Sequence, residues 1–589
     1  MRLVTENKLS YYLNKASNLD PEKFDKKIRI AILSSFTLNG LAETIKVKSA
    51  ESKIGCVSYV GAYNQYHQEI LNPTSKLYGA SPELTFLFID SRKLLGDLFY
   101  FPYSISTSQR KDFVKNKILE IKELIEIFTK NSKSKLVISN FSIPVYSPYG
   151  IFESKAEYGF HEMVNDLNSK LNETVKKYSS VYVYDFNGFV MKFGEKNIFD
   201  YSKFFYGDVN VAFDFIPNLA NDLMGYVKPL LGLNKKCIVV DLDNTLWGGI
   251  VGEDGFEGIH LGLTPPGNAF VEFQKRLLAL HQRGIILAIN SKNNPDDALQ
   301  VIKEHPSMIL REEHFASMKI NWNDKISNMR EIADEINIGI DSMVYFDDDP
   351  VNRELIKMNL PEILTIDLPN DLSQYVHMLE ELNDFNVLKV TEEDLNRGKM
   401  YYEDRQRVDL QKTAPNLDDF LKQLNITLKI QDANRFTIPR ISQLSLKTNQ
   451  FNLTTRRYQE EDIAKFTNDK NVLVKCVQVE DKFGDNGITG VVIVKKDSKS
   501  EWTIDTFLLS CRVMGRGVEE GMLGHILELA RKEGVSRVKG LYVPTKKNKP
   551  CEDFFANCGF AKENDHWIYA ISNSIKIPPH LTVIASDNK

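Results

Sequence analysis

The sequence predicts an α/β protein built of three successive regions, and three observations predict it. Apolar runs of strand length alternate with amphipathic helical stretches along the 589 residues, the texture of strands joined by crossover helices. Runs such as Ile238–Val240 and Ile285–Ile289 are apolar without a break, as in strands of a parallel sheet covered on both faces. Nearer the C-terminus the pattern changes. There Trp502, Ile504, Thr506 and Leu508 alternate with Thr503, Asp505 and Phe507, the period of two of a strand.

The elements follow in order. Residues 1–232 should hold strands at Ile28–Leu33, Thr85–Ile89, Lys135–Ile138 and Val181–Tyr184, with the clearest helix at Lys111–Phe128. Spacings of that size fit crossover helices and a mostly parallel sheet. Residues 233–395 open at Lys235–Lys236, with strands at Cys237–Asp241, Gly284–Asn290 and Met343–Asp347 and helices at Gly267–His281, Pro295–Lys303 and Asn323–Ile336. A polar, helix-biased connector covers 396–419, punctuated by Thr413-Ala-Pro-Asn416. Residues 420–577 form the third region, with a helix from Val518 to Lys532. The polar tail 578–589 is expected to fray.

Composition removes several classes. Lys plus Arg is 74 and Asp plus Glu is 79, a net charge of −5, which gives no polycationic field for nucleic acid. No run approaches the 18 or so apolar residues of a membrane helix, and MRLVTENKLSYYLNK lacks the apolar core of a signal peptide. The six cysteines, at 56, 237, 476, 511, 551 and 558, form no CxxC pair, so neither a disulfide framework nor a zinc site is expected. A soluble, cytoplasmic protein without nucleic-acid or membrane partners is the expectation.

The sharpest chemical signal is CIVVDLDNTLWGG. Asp241 closes a buried strand and Asp243 follows two residues on, so in extended chain both carboxylates face one side. Ser291 ends the next strand, Lys325 opens a helix, and Asp347 and Asp348 end a third strand. In open α/β sheets ligands bind beyond the carboxyl ends of strands, so these groups should converge. An Asp can attack phosphorus and form an aspartyl-phosphate. A second carboxylate can protonate the leaving group and then deprotonate water. Clustered carboxylates repel unless a hard cation sits among them, and oxygen ligands suit Mg²⁺. Ser291 and Lys325 would steady the transferring phosphoryl oxygens.

This ordered set resembles the four motifs of the haloacid dehalogenase (HAD) superfamily of phosphatases. The resemblance implies a Rossmann-like sheet, Asp241 as nucleophile and Asp243 as general acid/base. It places Mg²⁺ among Asp241, the Asp243 backbone carbonyl and the aspartates 347 and 348, with Asp347 the expected direct ligand of the two. The strings DLDNTLWGGIVGEDG, NSKNNPDDA, NWNDKISN and FDDDPVNRE resemble the FkbH-like, subfamily IIIC branch. Some members of that branch remove phosphate from 1,3-bisphosphoglycerate and load the glyceryl group onto a carrier-protein thiol. The intervals between Asp243, Ser291 and Lys325 are too short for a large cap domain.

In the third region LLSCRVMGRGVEEGMLGHILELA sets Arg512, Gly515 and Gly517 in a turn between strand and helix. Glycines there would let backbone approach a pyrophosphate, with a helix N-terminus behind. With Asn548 and Gly559–Phe560 the region resembles the GNAT acyltransferase fold, whose members bind acyl-CoA through that turn. Cys511 reads either as a buried structural cysteine or as an acyl-carrying thiolate activated by Arg512 and the helix N-terminus. His525 reads either as its base or as structural. SLKTNQFNLTTRRY resembles an FkbH-family signature. Its Lys447, Asn449, Gln450, Asn452 and Arg456 would bind phosphopantetheine or phosphate, or tie a loop together.

In the first region IAILSSFTLNG, with Gly61, Asn64 and Asn140, resembles the strand-end blocks of SGNH hydrolases. Ser34 or Ser35 would take the nucleophile position. A closing DxxH is missing from DFNGFVMKFGEKNIFD, so a degenerate, non-hydrolytic domain is expected.

The expected function is a Mg²⁺-dependent phosphatase that acts on a phosphorylated small metabolite and passes an acyl group to a carrier-protein thiol. One alternative is a sugar-phosphate phosphatase with CoA-dependent N-acylation in surface-polysaccharide or secondary-metabolite assembly. The other is a scaffold with an inactive centre, which intact Asp241 and Asp243 disfavour.

Overall fold

The computed structural model describes residues 8–390, 392–545, 547–572 and 576–586. By contact the chain divides into two compact units: residues 1–234 with 382–388, and residues 235–381 with 389–589.

The first unit holds five parallel strands: β1 (Lys26–Ser34), β2 (Ile54–Val60), β3 (Leu84–Phe88), β4 (Lys135–Ser139) and β5 (Val181–Tyr184), in the order β2-β1-β3-β4-β5. Side chains alternate across it. Ile28, Ile30 and Ile32 enter a core with Ile45, Leu219 and Leu223, while Ala31 and Leu33 enter another with Val114, Ile121 and Leu167. Helices therefore cover both faces, which explains the unbroken apolar strands. The helix Thr107–Asn131 starts at a capping box of Ser106 and Gln109. Strand β2 was not legible, because IGCVSYV mixes small and polar residues and its outer half is exposed.

The second unit begins with β6 (Cys237–Val240), β7 (Ile286–Ser291), β8 (Phe315–Ile320), β9 (Met343–Asp347) and β10 (Leu364–Asp367). They form a parallel sheet ordered β10-β9-β6-β7-β8. Cys237, Val239, Ile286, Met343 and Tyr345 pack one face against Met329 and Ile332 of the helix Lys325–Glu335. The order reverses at central β6, flanked by β7 and β9, and such a switch point is where α/β sheets open a ligand crevice.

The same unit continues into β11 (Ile426–Asp432), β12 (Phe451–Asn452), β13 (Val472–Asp481), β14 (Gly484–Lys496), β15 (Glu501–Leu509), β16 (Arg537–Gly540), β17 (Ala561–Glu563), β18 (His566–Ala570) and β19 (Leu581–Ser586). Their path is β17-β18-β16-β15-β14-β13-β11-β19, with β12 beside β15. The helix Val518–Lys532 crosses from β15 to parallel β16 and buries Val518, Met522 and Ile526.

One expectation needs correction: the tail does not fray throughout, since Leu581–Ser586 pairs in parallel with Ile426–Gln431. The helix-biased connector is a helix packed on both the middle and last regions, which fall in one compact unit. The helix Glu392–Thr413 grips both: Arg405 donates to Phe315 O at 3.1 Å, and Arg407, 2% exposed, forks onto Asp481 at 2.7 and 2.8 Å. The connector is polar because its side chains form internal ion pairs. Among the described residues no helix is long and apolar enough to cross a membrane.

Candidate active site

At the carboxyl edge of β6, β7 and β9 the structure brings together Asp241, Ser291, Lys325, Asp347 and Asp348. Asp241, Asp347 and Asp348 each offer a carboxylate oxygen within 4.8 Å of the others. Lys325 Nζ lies 3.0 Å from Asp241 Oδ2 and 2.5 Å from Asp347 Oδ2. Ser291, 1% exposed, also hydrogen-bonds Asp241. Burial, with the nearby Asp347 charge, pushes the Asp241 carboxyl up to about 6, against the pull of Lys325. Burial alone would lower the Lys325 ammonium, but its two carboxylate neighbours overcome this and hold it raised.

Asp243 belongs to the same turn but not to the three-carboxylate cluster. Its Oδ1 accepts from Trp247 Nε1 at 2.8 Å and Val251 N at 3.2 Å, and its Oδ2 from Asn293 Nδ2 at 2.8 Å. Burial raises its pKa against these three donors. Asn244 bends the turn with φ of +53°, a conformation Asn adopts more readily than most residues.

Asp347, expected as the direct cation ligand of the two, is also engaged by protein donors. Asp347 is fully buried, and its oxygens accept from Lys325, the Tyr345 hydroxyl, Asp349 N at 2.9 Å and Asn352 Nδ2 at 3.5 Å. The half-buried Asp348 carboxylate accepts from its own backbone N–H, and burial, Asp241 and Asp347 push it up to about 6. Both aspartates stay within reach of Asp241 for a shared cation, and Asp347 in addition anchors Lys325.

The residues fit a hard divalent cation. Asp241 Oδ1 is buried without a protein partner, and a carboxylate lone pair so placed calls for a cation or proton. The donors are all oxygen, as Mg²⁺ prefers.

Several contributors had not been singled out from sequence. Asn293, Trp247 and Tyr345 hold the carboxylates. Arg353 ties the Asp347 and Asp348 carbonyls at 2.7 and 2.6 Å. Asn290 accepts from Asn328 at 3.1 Å and donates to Lys325 O at 2.9 Å, which fixes the start of the lysine's helix. Only their place inside NSKNN, NWNDKISN and FDDDPVNRE could have marked them.

The last region is arranged differently. The side chain of Cys511 lies outside the described residues. Arg512 Nη1 lies 3.1 Å from Met400 Sδ. Gly515 and Gly517 take φ of +72° and +79°, where glycine is favoured. However, the Gly515 N–H donates to Glu519 Oε1 at 3.3 Å, so the turn already holds a carboxylate. His525 is buried within the helix. The signature segment ties structure together: Asn452 is fully buried and pairs with Leu508, its carbonyl accepts from Asn548 at 3.0 Å, and Arg456 pairs with Asp505. Asn449 accepts from Arg457, and with Gln450 it lines a polar cavity. The Lys447 side chain lies outside the described residues.

In the first unit Ser34 Oγ accepts from Phe36 N and Ser35 Oγ from Asp90 N. Among the described residues neither hydroxyl is bonded to a histidine. The Gly61 and Asn64 amides donate to Ile32 O and Ser34 O, and Asn140 donates to Asp185, all loop-tying contacts.

Residues 29–228 match the family described as FkbH, N-terminal domain. No curated protein matches the chain. Among solved structures the chain is similar to the N-terminal part of the protein BF1531 from Bacteroides fragilis, containing a phosphatase domain complexed with Mg. Identity is 28% and the TM-score 0.60, over 64% of this chain and 99% of that one. The ribosomal-protein-S18-alanine N-acetyltransferase from Escherichia coli aligns at 14% identity and a TM-score of 0.20, over 25% of this chain and 96% of its own, a likeness that carries no argument. The N-terminal region thus matches an FkbH domain, and most of the chain is similar to a phosphatase-containing structure.

Proposed function

We propose that this protein is an FkbH-like, HAD-type phosphatase dependent on Mg²⁺. The carrying observation is Asp241, set at the switch point with Oδ2 held by Lys325 and Oδ1 buried and unpartnered. The likeness to the Mg-complexed BF1531 structure supports the same reading. Asp241 attacks the phosphorus of a bound phosphomonoester or acyl phosphate, forming an aspartyl-phosphate while the leaving oxygen departs. Asp243, fixed by Trp247, Val251 and Asn293, gives that oxygen its proton and then takes one from the incoming water. Lys325 and Ser291 bind the phosphoryl oxygens and keep Asp241 aligned. Asp241, Asp348 and the Asp243 carbonyl would hold Mg²⁺, which when bound supplies charge neutralisation for the crowded carboxylates and the phosphoryl group.

The finer reading is acyl transfer. The substrate is a phosphorylated three-carbon acyl donor such as 1,3-bisphosphoglycerate. The Cys511 thiolate attacks its C1 carbonyl and expels the acyl phosphate as inorganic phosphate, and Asp241 takes the C3 phosphate as above. An acyl-carrier-protein thiol then receives the glyceryl group by thioester exchange, which restores the Cys511 thiol. Two features support a carrier over acyl-CoA held at the Gly515–Gly517 turn. No cap domain is inserted between β6 and β7, and Glu519 already occupies the Gly515 amide. The test is intact-mass spectrometry of a carrier protein after incubation with the chain, Mg²⁺ and 1,3-bisphosphoglycerate. A glyceryl-sized gain is expected. Phosphate release without that gain leaves the phosphatase and removes the transfer.

A further inference from the structure

The N-terminal sheet has its own switch point. Strand β1 leads into the helix Leu41–Glu51 on one face, whereas β3 leads towards the helix Thr107–Asn131 on the other. The strands are neighbours, so a crevice opens between their carboxyl ends. There the structure has a cavity of about 40 Å³, lined among others by Phe36, Asp90, Arg92, Phe199 and Asn210. That is space for roughly three water molecules, or for the hydroxyl-bearing edge of a small organic molecule whose remainder extends through the open mouth.

Three heteroatoms on this lining are buried without a protein hydrogen-bond partner: Asp90 Oδ2, Arg92 Nη1 and Asn210 Oδ1. Asn210 is only 7% exposed. Buried polar atoms are nearly always paired, so three on one cavity point to an occupant. Their settings are built. Asp90 Oδ1 accepts from Arg92 N at 3.1 Å, and Asp90 N donates to Ser35 Oγ at 2.8 Å. The Arg92 guanidinium is packed on aromatic rings, 3.9 Å from Phe199 and 4.7 Å from Phe204. Burial pushes the Asp90 carboxyl up against a side-chain hydrogen bond from Asn210, which leaves Asp90 Oδ2 and Asn210 Oδ1 without a protein donor.

The unmet needs define the occupant. Two acceptors require hydrogen-bond donors and one N–H requires an acceptor. Glu195 also lines the cavity, so its charged groups are two carboxylates against one guanidinium, and a further anion would be repelled. Adjacent neutral hydroxyls answer all three atoms, since each can donate to Asp90 or Asn210 and accept from Arg92. The aromatic walls suit the carbon side of such a molecule. We infer that the carboxyl edge between β1 and β3 is a binding site for a small neutral polyol, distinct from the phosphatase centre. The site would let the N-terminal unit recognise a hydroxylated metabolite without hydrolysing it.

Saturation-transfer NMR on the full-length protein tests this with four probes: glycerol, erythritol, glycerate and 1-propanol. Glycerol or erythritol should bind saturably in the millimolar range, and glycerate and propanol at least tenfold more weakly. Asp90→Asn, which keeps the volume and the helix cap, and Arg92→Lys should each weaken polyol binding at least tenfold. Asn210→Leu, which removes the acceptor at similar volume, should weaken polyol binding at least threefold. Phosphate release from an aryl phosphate should be unchanged in all three variants, and Asp241→Asn should still bind polyol, which separates this site from the phosphatase reading. Failure of both polyols to bind would mean that water fills the cavity and would overturn the inference. Equal binding of glycerate or propanol, or unweakened binding in folded Asp90→Asn, would overturn it as well.

Discussion

Lys325 stands 3.0 Å from Asp241 across the edge of the middle sheet. The pair joins the end of β6 to the start of a helix 84 residues later, and Asp347 binds the same ammonium from β9. Lys325 therefore registers three elements, and its charge is the only protein cation at the clustered carboxylates among the described residues. Replacing it by Met should lower aryl-phosphate turnover at least a hundredfold, because it removes both alignment and phosphoryl binding. The check is steady-state kinetics, with circular dichroism to establish folding.

Asp241→Asn should abolish phosphate release while leaving the fold intact, since an amide does not attack phosphorus. Asp243→Asn should slow turnover by about 10² to 10⁴. With a good leaving group it should also accumulate a phosphorylated protein, because the second step still lacks its base. Intact-mass spectrometry of acid-quenched samples reads that adduct, and its presence in the Asp241→Asn variant would remove the nucleophile assignment.

Chelation should silence phosphate release and Mg²⁺ should restore it. Asp348→Asn should raise the Mg²⁺ concentration needed for half-maximal activity by tenfold or more. Asp347→Asn should mainly loosen Lys325 and reduce turnover at saturating metal. A metal titration of both variants decides which aspartate binds the cation directly, and the opposite pattern would assign that role to Asp347.

Glu519 gives a pH signature in the last region. Burial and the neighbouring Glu520 raise its pKa to about 7. The native state therefore holds a proton that the unfolded chain loses near pH 4.5, and stability falls as pH rises through 7. Glu519→Gln, which still accepts from Gly515, should stabilise the protein by roughly 1–3 kcal/mol at pH 8 and have little effect near pH 4.5. Thermal melts of variant and parent across that range measure the difference.

The connector gives a packing test. Arg407 and Asp481 are 2% and 0% exposed in their side chains, so Arg407→Met strands a buried carboxylate that Arg516 neutralises only from 3.5 Å. The expected loss is roughly 3 kcal/mol or more. The double variant Arg407→Met with Asp481→Leu should recover most of it, as denaturant unfolding would report.

The sequence by itself determined the chemistry of the middle region. Asp241, Ser291, Lys325 and Asp347 sit at the ends or starts of elements whose apolar runs and helical periodicity are local properties, and a parallel sheet aligns such ends at one edge without further information. Strands with mixed patterns, β2 and β8 among them, were not legible, because their place depends on the neighbours that cover them. Only the tertiary structure decided that Asp347 anchors Lys325, because Tyr345, Asp349 and Asn352 reach Asp347 and orient it only through folding. It also decided that Glu392–Thr413 binds two regions into one unit, and that Leu581–Ser586 finds a sheet edge. The polyol cavity belongs to the same class: Asp90, Arg92 and Asn210 carry no motif, and their unmet hydrogen bonds exist only once more than a hundred intervening residues have brought Asn210 beside β3.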